Sequence, residues 1–268
     1  MRILFMKSKK MQTKRFFKRG FTLVELLVVI GIISILASLL LPSLSKAKDS
    51  AKKAQAKTEM QNIAGAVQAY NAEYNRFPIP SQIAKSLTAA SPDYTFGTMH
   101  MNGSRARLLK NREGGNLPKI ASPGRLQVSN AELVAILQDV EVFRNGRPTS
   151  NRNHKMNTRK VNFLNAKNAT SESEPGVGVD GVYRDPWGNP YIVTVDGNYD
   201  GKTIDVFYGQ GGISAAGKGA GLNGLTKTKG GYQSNKAVMV WSLGPDGLAS
   251  ADAKANADVN ADNILSWQ

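Results

Sequence analysis

The chain has 268 residues, no cysteine and a formal net charge of +15. Without cysteine there can be no disulfide, thiolate metal site or cysteine nucleophile. The length suits one moderate domain plus an extended element rather than two full cores. The charge is local: residues 1–20 hold eight Lys/Arg and no acid, and residues 97–168 hold thirteen Lys/Arg against four Asp/Glu. The rest of the chain beyond residue 20 sums to −2, so the charge is not a whole-surface nucleic-acid footprint.

Residues 21–41 read FTLVELLVVIGIISILASLLL and carry one charge, Glu25. As a helix they cover about 30 Å, the thickness of a bilayer's hydrocarbon core. The basic flank puts the N-terminal side in the cytoplasm and the remainder across the membrane. The apolar run is longer than that of a secretory signal, and the candidate cut, Gly20-Phe21, precedes it. Hydropathy alone fits an uncleaved signal anchor as well. Glu25 separates the two, because a carboxylate in a lipid-facing helix is costly without a partner. Cleavage after Gly20 would create an α-amino group on Phe21, and a neighbouring subunit could bring such a group to Glu25. That charge pair would act as a register device more than as a source of stability.

Arg19 to Glu25, R-G-F-T-L-V-E, resembles the prepilin cleavage and methylation motif of type IV pilins and type II secretion pseudopilins. The resemblance implies peptidase cleavage after Gly20, N-methylation of Phe21, and a role for Glu25 in assembly. Pro42 falls where these families commonly kink the helix. The implied partners are a prepilin peptidase, further copies of the chain, other pseudopilins and an inner-membrane secretion platform. The implied location is a single pass through the inner membrane with the head outside the cytoplasm, then a periplasmic or surface filament.

From Ser43 to Tyr74 the chain is rich in Ala and Lys, with Met60, Ile63, Val67, Tyr70 and Tyr74 at helical spacing. One helix over 21–76 is expected, closed by Phe77-Pro78. Lys46, Lys48, Lys52, Lys53 and Lys57 read as a solvated face, with anionic headgroups as an alternative contact. Residues 77–268 form the head, in which 80–180 reads as an insertion and 183–268 as sheet and C-terminal loop.

Within the head, 80–128 reads mostly as loop. Ser129-Asn130 precede AELVAILQDVEVF, a capped helix of about four turns. Residues 145–180 look extended or loop-like. YIVTV (191–195), TIDVFY (203–208) and AVMVWS (237–242) read as strands, the first two joined by the turn-rich DGNYDGK. The expected class is α+β: a long helical spine, half membrane and half amphipathic, against a small antiparallel sheet. Asp185-Pro-Trp-Gly-Asn-Pro-Tyr191 and Ser242-Leu-Gly-Pro-Asp-Gly247 resemble segments that flank the sheet and calcium loop of the major type II pseudopilin. Turn chemistry with Trp187 as a core plug accounts for the first.

In the tail, Asp252, Asn256, Asp258, Asn260 and Asp262 supply oxygen donors at near-alternate positions, a composition that suits Ca²⁺ or a solvated polar tail. The pseudopilin resemblance favours Ca²⁺, with Asp246, Asp258, Asp262 and Asn263 as ligands; alignment on Trp267 puts Asn263 at the family's last ligand position. No nucleotide is expected. Gly212-Ile-Ser-Ala-Ala-Gly217-Lys218-Gly219 is one residue short of a P-loop and has Gly where the Mg²⁺-binding hydroxyl belongs. Gly219-x-Gly221-x-x-Gly224 lacks a strand-turn-helix frame. Residues 209–231 read as a long flexible connection.

No carboxylate pair or nucleophile elbow surrounds His100 or His154, and nothing points to an enzyme. The basic residues Arg105, Arg107, Lys110, Arg112, Arg144, Arg147, Arg152, Lys155, Arg159 and Lys160 leave a second reading, a pilin that binds DNA or an anionic polysaccharide. A solvated insertion is the simpler account.

Overall fold

The computed structural model describes residues 20–102, 105–108, 127–217 and 219–268. The leader up to Arg19, Lys110, Arg112 and Lys218 lie outside the described residues, as do the side chains of His100, Arg105 and Arg107. The chain divides into two compact units between Lys48 and Asp49. Helix α1 (Leu23–Tyr74) starts two residues later and ends two residues earlier than expected. Asn75, at φ +50°, turns the backbone left-handed and stops the helix before Pro78 is reached. In the first unit, the large apolar side chains from Phe21 to Leu44 are exposed. The helix runs through Pro42, which has no N–H for the carbonyl of Ser38.

In the second unit, α1 is followed by α2 (Ser81–Ala84), β1 (Tyr94–Phe96), β2 (Met99–Asn102), β3 (Arg105–Leu108), β4 (Gln127–Val128) and α3 (Asn130–Leu137). Then come β5 (Gly176–Val177), β6 (Tyr183–Arg184), β7 (Ile192–Val195), α4 (Gly211–Ser214), β8 (Ala215–Gly217) and β9 (Ala220–Gly221). The chain closes with β10 (Thr226–Thr228), β11 (Gly231–Gln233), β12 (Val238–Ser242) and β13 (Ile264–Leu265). The central sheet has five strands in the order β13-β12-β7-β1-β4. It is antiparallel, as expected, apart from one parallel pair, β1 with the edge strand β4.

Both faces of this sheet are covered. Tyr191, Val193 and Val195, with Val238 and Val240, face the buried stripe Met60, Ile63, Val67 and Tyr70 of α1. The alternate positions Ile192, Met239 and Trp241 join Phe207, Tyr208, Ile213, Leu265 and Trp267 in a second core. Burial on both faces explains why AVMVWS reads as a nearly continuous apolar run.

Several expectations are corrected. Within 80–128 the described residues include α2, β1, β2, β3 and β4, with β1 between β7 and β4 in the central sheet rather than in a loop; 103–104 and 109–126 lie outside the described residues. The four-turn helix shrinks to the eight residues of α3, capped by the Ser129 hydroxyl on the Ala131 N–H and ended at Asp139, where φ is +57°. TIDVFY is not a strand. The buried Asp205 carboxylate accepts the N–H groups of Phe207 and Tyr208, and its carbonyl accepts Gly209 N–H, coiling the segment into turns. Residues 209–231 hold α4 and most of the small sheet β11-β10-β9-β8 rather than a flexible connection.

Candidate functional site

The N-terminal site is a local helix start with an acid in it. Thr22 and Glu25 form a reciprocal capping box: the Thr22 N–H and hydroxyl donate to Glu25 Oε2 at 2.8 and 2.7 Å. The Glu25 N–H returns a bond to Thr22 Oγ1 at 3.2 Å. A carboxylate among exposed Leu23, Val24, Leu26 and Leu27 is thus given donors from within its own first turn. Sequence reasoning singled out Gly20, Phe21 and Glu25 and overlooked Thr22, although T-x-x-E is itself a helix-start signature. Gly20 and Phe21 are exposed immediately before this turn.

The two motif segments of the head are bonded to each other. Asp185 accepts the N–H groups of Trp187 and Asn189 at 2.9 and 2.8 Å and takes the Ser242 hydroxyl. Burial pushes its carboxyl up to about 6, against the pull of those donors. Asn189 Nδ2 donates to the Gly244 carbonyl at 3.0 Å. Trp187 packs in the α1 core with the Lys52 ammonium 5.9 Å above its ring.

The C-terminal loop folds back on this region. Gly244 has φ +67°, and a Cβ there would lie 2.4 Å from the Asp262 carbonyl, so only glycine lets the two strands of the loop approach. Asp246 N–H donates to Asp262 Oδ2 at 3.3 Å, and Leu248 N–H to Asp246 Oδ1 at 2.8 Å. Asp262 Oδ1 and Asn263 Oδ1 are both buried with no hydrogen-bond partner. Burial raises the Asp262 carboxyl, and the neighbouring Asp246 charge raises it further. Asp258 is exposed on the 3₁₀ turn Asp258–Asn260. It is Asn260 that turns inward, donating to the carbonyls of Ser250, Ala253 and Lys254 and accepting Ser250 N–H. The structure therefore bonds Asp246 to Asp262, beside which Asn263 follows in the chain, while Asp258 has no hydrogen bond to them among the described residues. No group of three or more His, Asp or Glu side chains among the described residues is arranged to hold a metal. Asp246, Asp262 and Asn263 offer oxygen donors only, the chemistry of a hard cation such as Ca²⁺ and not of zinc.

Much of the basic segment is committed to structure. Arg144 donates to the carbonyls of Ala169 and Val177, Arg159 pairs with Glu73, and the Arg147 guanidinium lies over the Phe143 ring. His154 lies between Asp139 at 2.8 Å and Glu141 at 3.5 Å. Arg152, Lys155 and Lys160 are exposed.

A capped glutamate on an exposed apolar helix, just after a Gly-Phe junction and followed by a helix-on-sheet head, defines the pilin-like class of subunits. The prokaryotic N-terminal methylation motif matches residues 15–41. Type II secretion system core protein G of Klebsiella pneumoniae is 31% identical over 108 residues, spanning 40% of this chain and 77% of the relative. The Aeromonas hydrophila core protein G is 31% identical over 115 residues, spanning 43% and 79%. The type IV major pilin protein PilA of Myxococcus xanthus is 37% identical over 59 residues, 22% of this chain and 27% of its own length. No solved structure matches. The chain belongs to the type II secretion pseudopilin family, and these alignments leave more than half of it unmatched.

Proposed function

We propose that the chain is a structural, non-catalytic subunit of a type II secretion pseudopilus. In this reading a prepilin peptidase cuts between Gly20 and Phe21, and the new N-terminus is methylated. The apolar start of α1 then holds the subunit in the inner membrane, head outside the cytoplasm, until it polymerises with itself and other pseudopilins on the secretion platform. The observation that carries this reading is Glu25, held by Thr22 at the start of a helix whose apolar surface is exposed. Lateral packing of such helices would cover that surface and confront Glu25 with a neighbour's amino group. Filament recovery from cells expressing the chain with its secretion platform tests it. Sheared filaments containing the mature chain are expected; a monomer under all conditions would overturn the reading.

The same reading includes a Ca²⁺ ion at the C-terminal loop, with Asp246, Asp262 and Asn263 as its side-chain ligands. The two orphaned oxygens support it, because a buried acceptor without a donor is costly unless something satisfies it. The ion would supply charge neutralisation for Asp246 and Asp262 and pin the chain terminus. The polyanion-binding alternative has less behind it, since Arg144 and Arg159 are occupied with carbonyls and Glu73.

A further inference from the structure

Resting on the Ca²⁺ reading above, we propose that Tyr208 is a positioning residue, whose hydroxyl holds the Asn263 amide by its nitrogen and so presents Asn263 Oδ1 as a cation ligand. Asn263 Nδ2 donates to the Tyr208 hydroxyl oxygen at 3.0 Å, and Oδ1 at the other end of the amide is buried without a partner. An amide free to turn would offer a cation its NH₂ as readily as its oxygen. In this geometry the Tyr208 oxygen accepts the N–H, which leaves Oδ1 turned to the far side, where a cation would meet it.

Tyr208 is itself fixed. It is fully buried, with ring centroids of Phe207, Trp241 and Trp267 at 5.1, 5.0 and 5.3 Å. Its N–H donates to Asp205 Oδ1 at 2.8 Å and its carbonyl accepts the Ser214 hydroxyl at 2.5 Å. The next residue back from Asn263 is Asp262, whose Oδ1 is the second orphan and whose Oδ2 takes the Asp246 N–H. The hydroxyl thus stands behind the ligand set as an outer support, the place where loss of one hydrogen bond weakens metal binding about 10- to 100-fold. Tyr208 comes from the turns after β7, so tail spacing alone gives no hint of it.

The test uses the full chain in detergent, stripped with chelator and titrated calorimetrically with CaCl₂. Tyr208→Phe keeps the ring in its aromatic cluster and removes only the hydroxyl. Its Ca²⁺ affinity is expected to fall tenfold or more, while its melting temperature in chelator stays close to that of the unsubstituted chain. Asn263→Asp keeps an oxygen toward the cation whichever way the side chain turns, so it should retain Ca²⁺ binding with Tyr208 intact. Asn263→Ala should lose at least tenfold with Tyr208 intact, which covers the case of a Tyr208→Phe chain that does not fold. Unchanged affinity in Tyr208→Phe or in Asn263→Ala overturns the role of Tyr208 and leaves Ca²⁺ binding standing. Absence of any Ca²⁺ heat or melting shift in the unsubstituted chain overturns both.

Discussion

The Tyr191 hydroxyl donates to Glu59 Oε2 at 2.6 Å, joining the residue before β7 to the middle of α1. Gln55 Nε2 holds the other oxygen of the same carboxylate at 2.8 Å, so Glu59 is fixed from its own helix and from the sheet. Tyr191 is fully buried, and its ring meets Tyr183 edge-on. Tyr191→Phe deletes a hydrogen bond to a charged group and is expected to cost about 1.5–3 kcal/mol. Thermal melting of the full chain in detergent checks this; a melting temperature unchanged within error would mean the bond contributes nothing net.

Processing should leave a chain beginning with N-methyl-Phe21. Intact mass of the membrane-extracted protein reads this directly. A mature N-terminus at Met1, or a cut within the apolar run, would contradict it.

Glu25→Ala is expected to leave membrane insertion intact, because the apolar run drives insertion, and to reduce filament yield severely. Thr22→Ala separates two roles. It removes the hydroxyl but keeps the Thr22 backbone N–H bond to Glu25, so it should weaken the helix start by about 1 kcal/mol while leaving the carboxylate available to a neighbour. A milder assembly defect than that of Glu25→Ala is therefore expected in sheared-filament assays. Equal defects would argue that Glu25 acts only as a cap.

Ca²⁺ at a hundred times its dissociation constant should stabilise the chain by about 2.7 kcal/mol over chelator. Mg²⁺ should substitute poorly, since it demands a compact octahedron and gives up water reluctantly. Asp246→Ala should abolish the shift. Asp258→Ala should retain most of it, given the exposed position of that side chain.

Asp93 gives the stability a pH dependence. Burial pushes its carboxyl up to about 7, assisted by the charges of Asp196 and Asp200 and opposed by N–H bonds from Ile204 and Gly197. A folded value above the unfolded one, about 4, means the folded chain holds an extra proton between those limits. Stability from this group is complete below about pH 4 and is lost as pH rises to about 7, at up to about 1.4 kcal/mol per pH unit. Asp185, pushed up to about 6, adds to the slope below that value. Asp93→Asn should lower overall stability, since an amide cannot accept both N–H bonds, yet flatten the profile between pH 4 and 7. Denaturant melts at several pH values, with an NMR titration of the Asp93 carboxyl, check both.

What could be read from residue order follows from where the signal is local. The apolar run, its lone Glu25 and the 60-63-67-70 stripe announce α1 because helix periodicity and membrane length are both properties of neighbouring residues. β7 and β12 are legible for the same reason. The three residues of β1 are not, because their identity as a strand depends on β7 and β4 from distant parts of the chain. TIDVFY misleads because its composition is that of a strand while one buried acid, Asp205, turns its backbone. The Ca²⁺ candidates were chosen by composition and by likeness to the family. Spacing alone could not tell outward Asp258 from inward Asn260, or reveal Tyr208 behind Asn263.

The five-stranded sheet ends in a two-residue strand on each side, β13 at one edge and β4 at the other. A long bare edge would offer a row of unpaired amides and carbonyls to any copy that drifted past. Among the described residues each edge strand is only two residues long. A second copy of the chain meeting the sheet at either edge thus finds few groups to pair with.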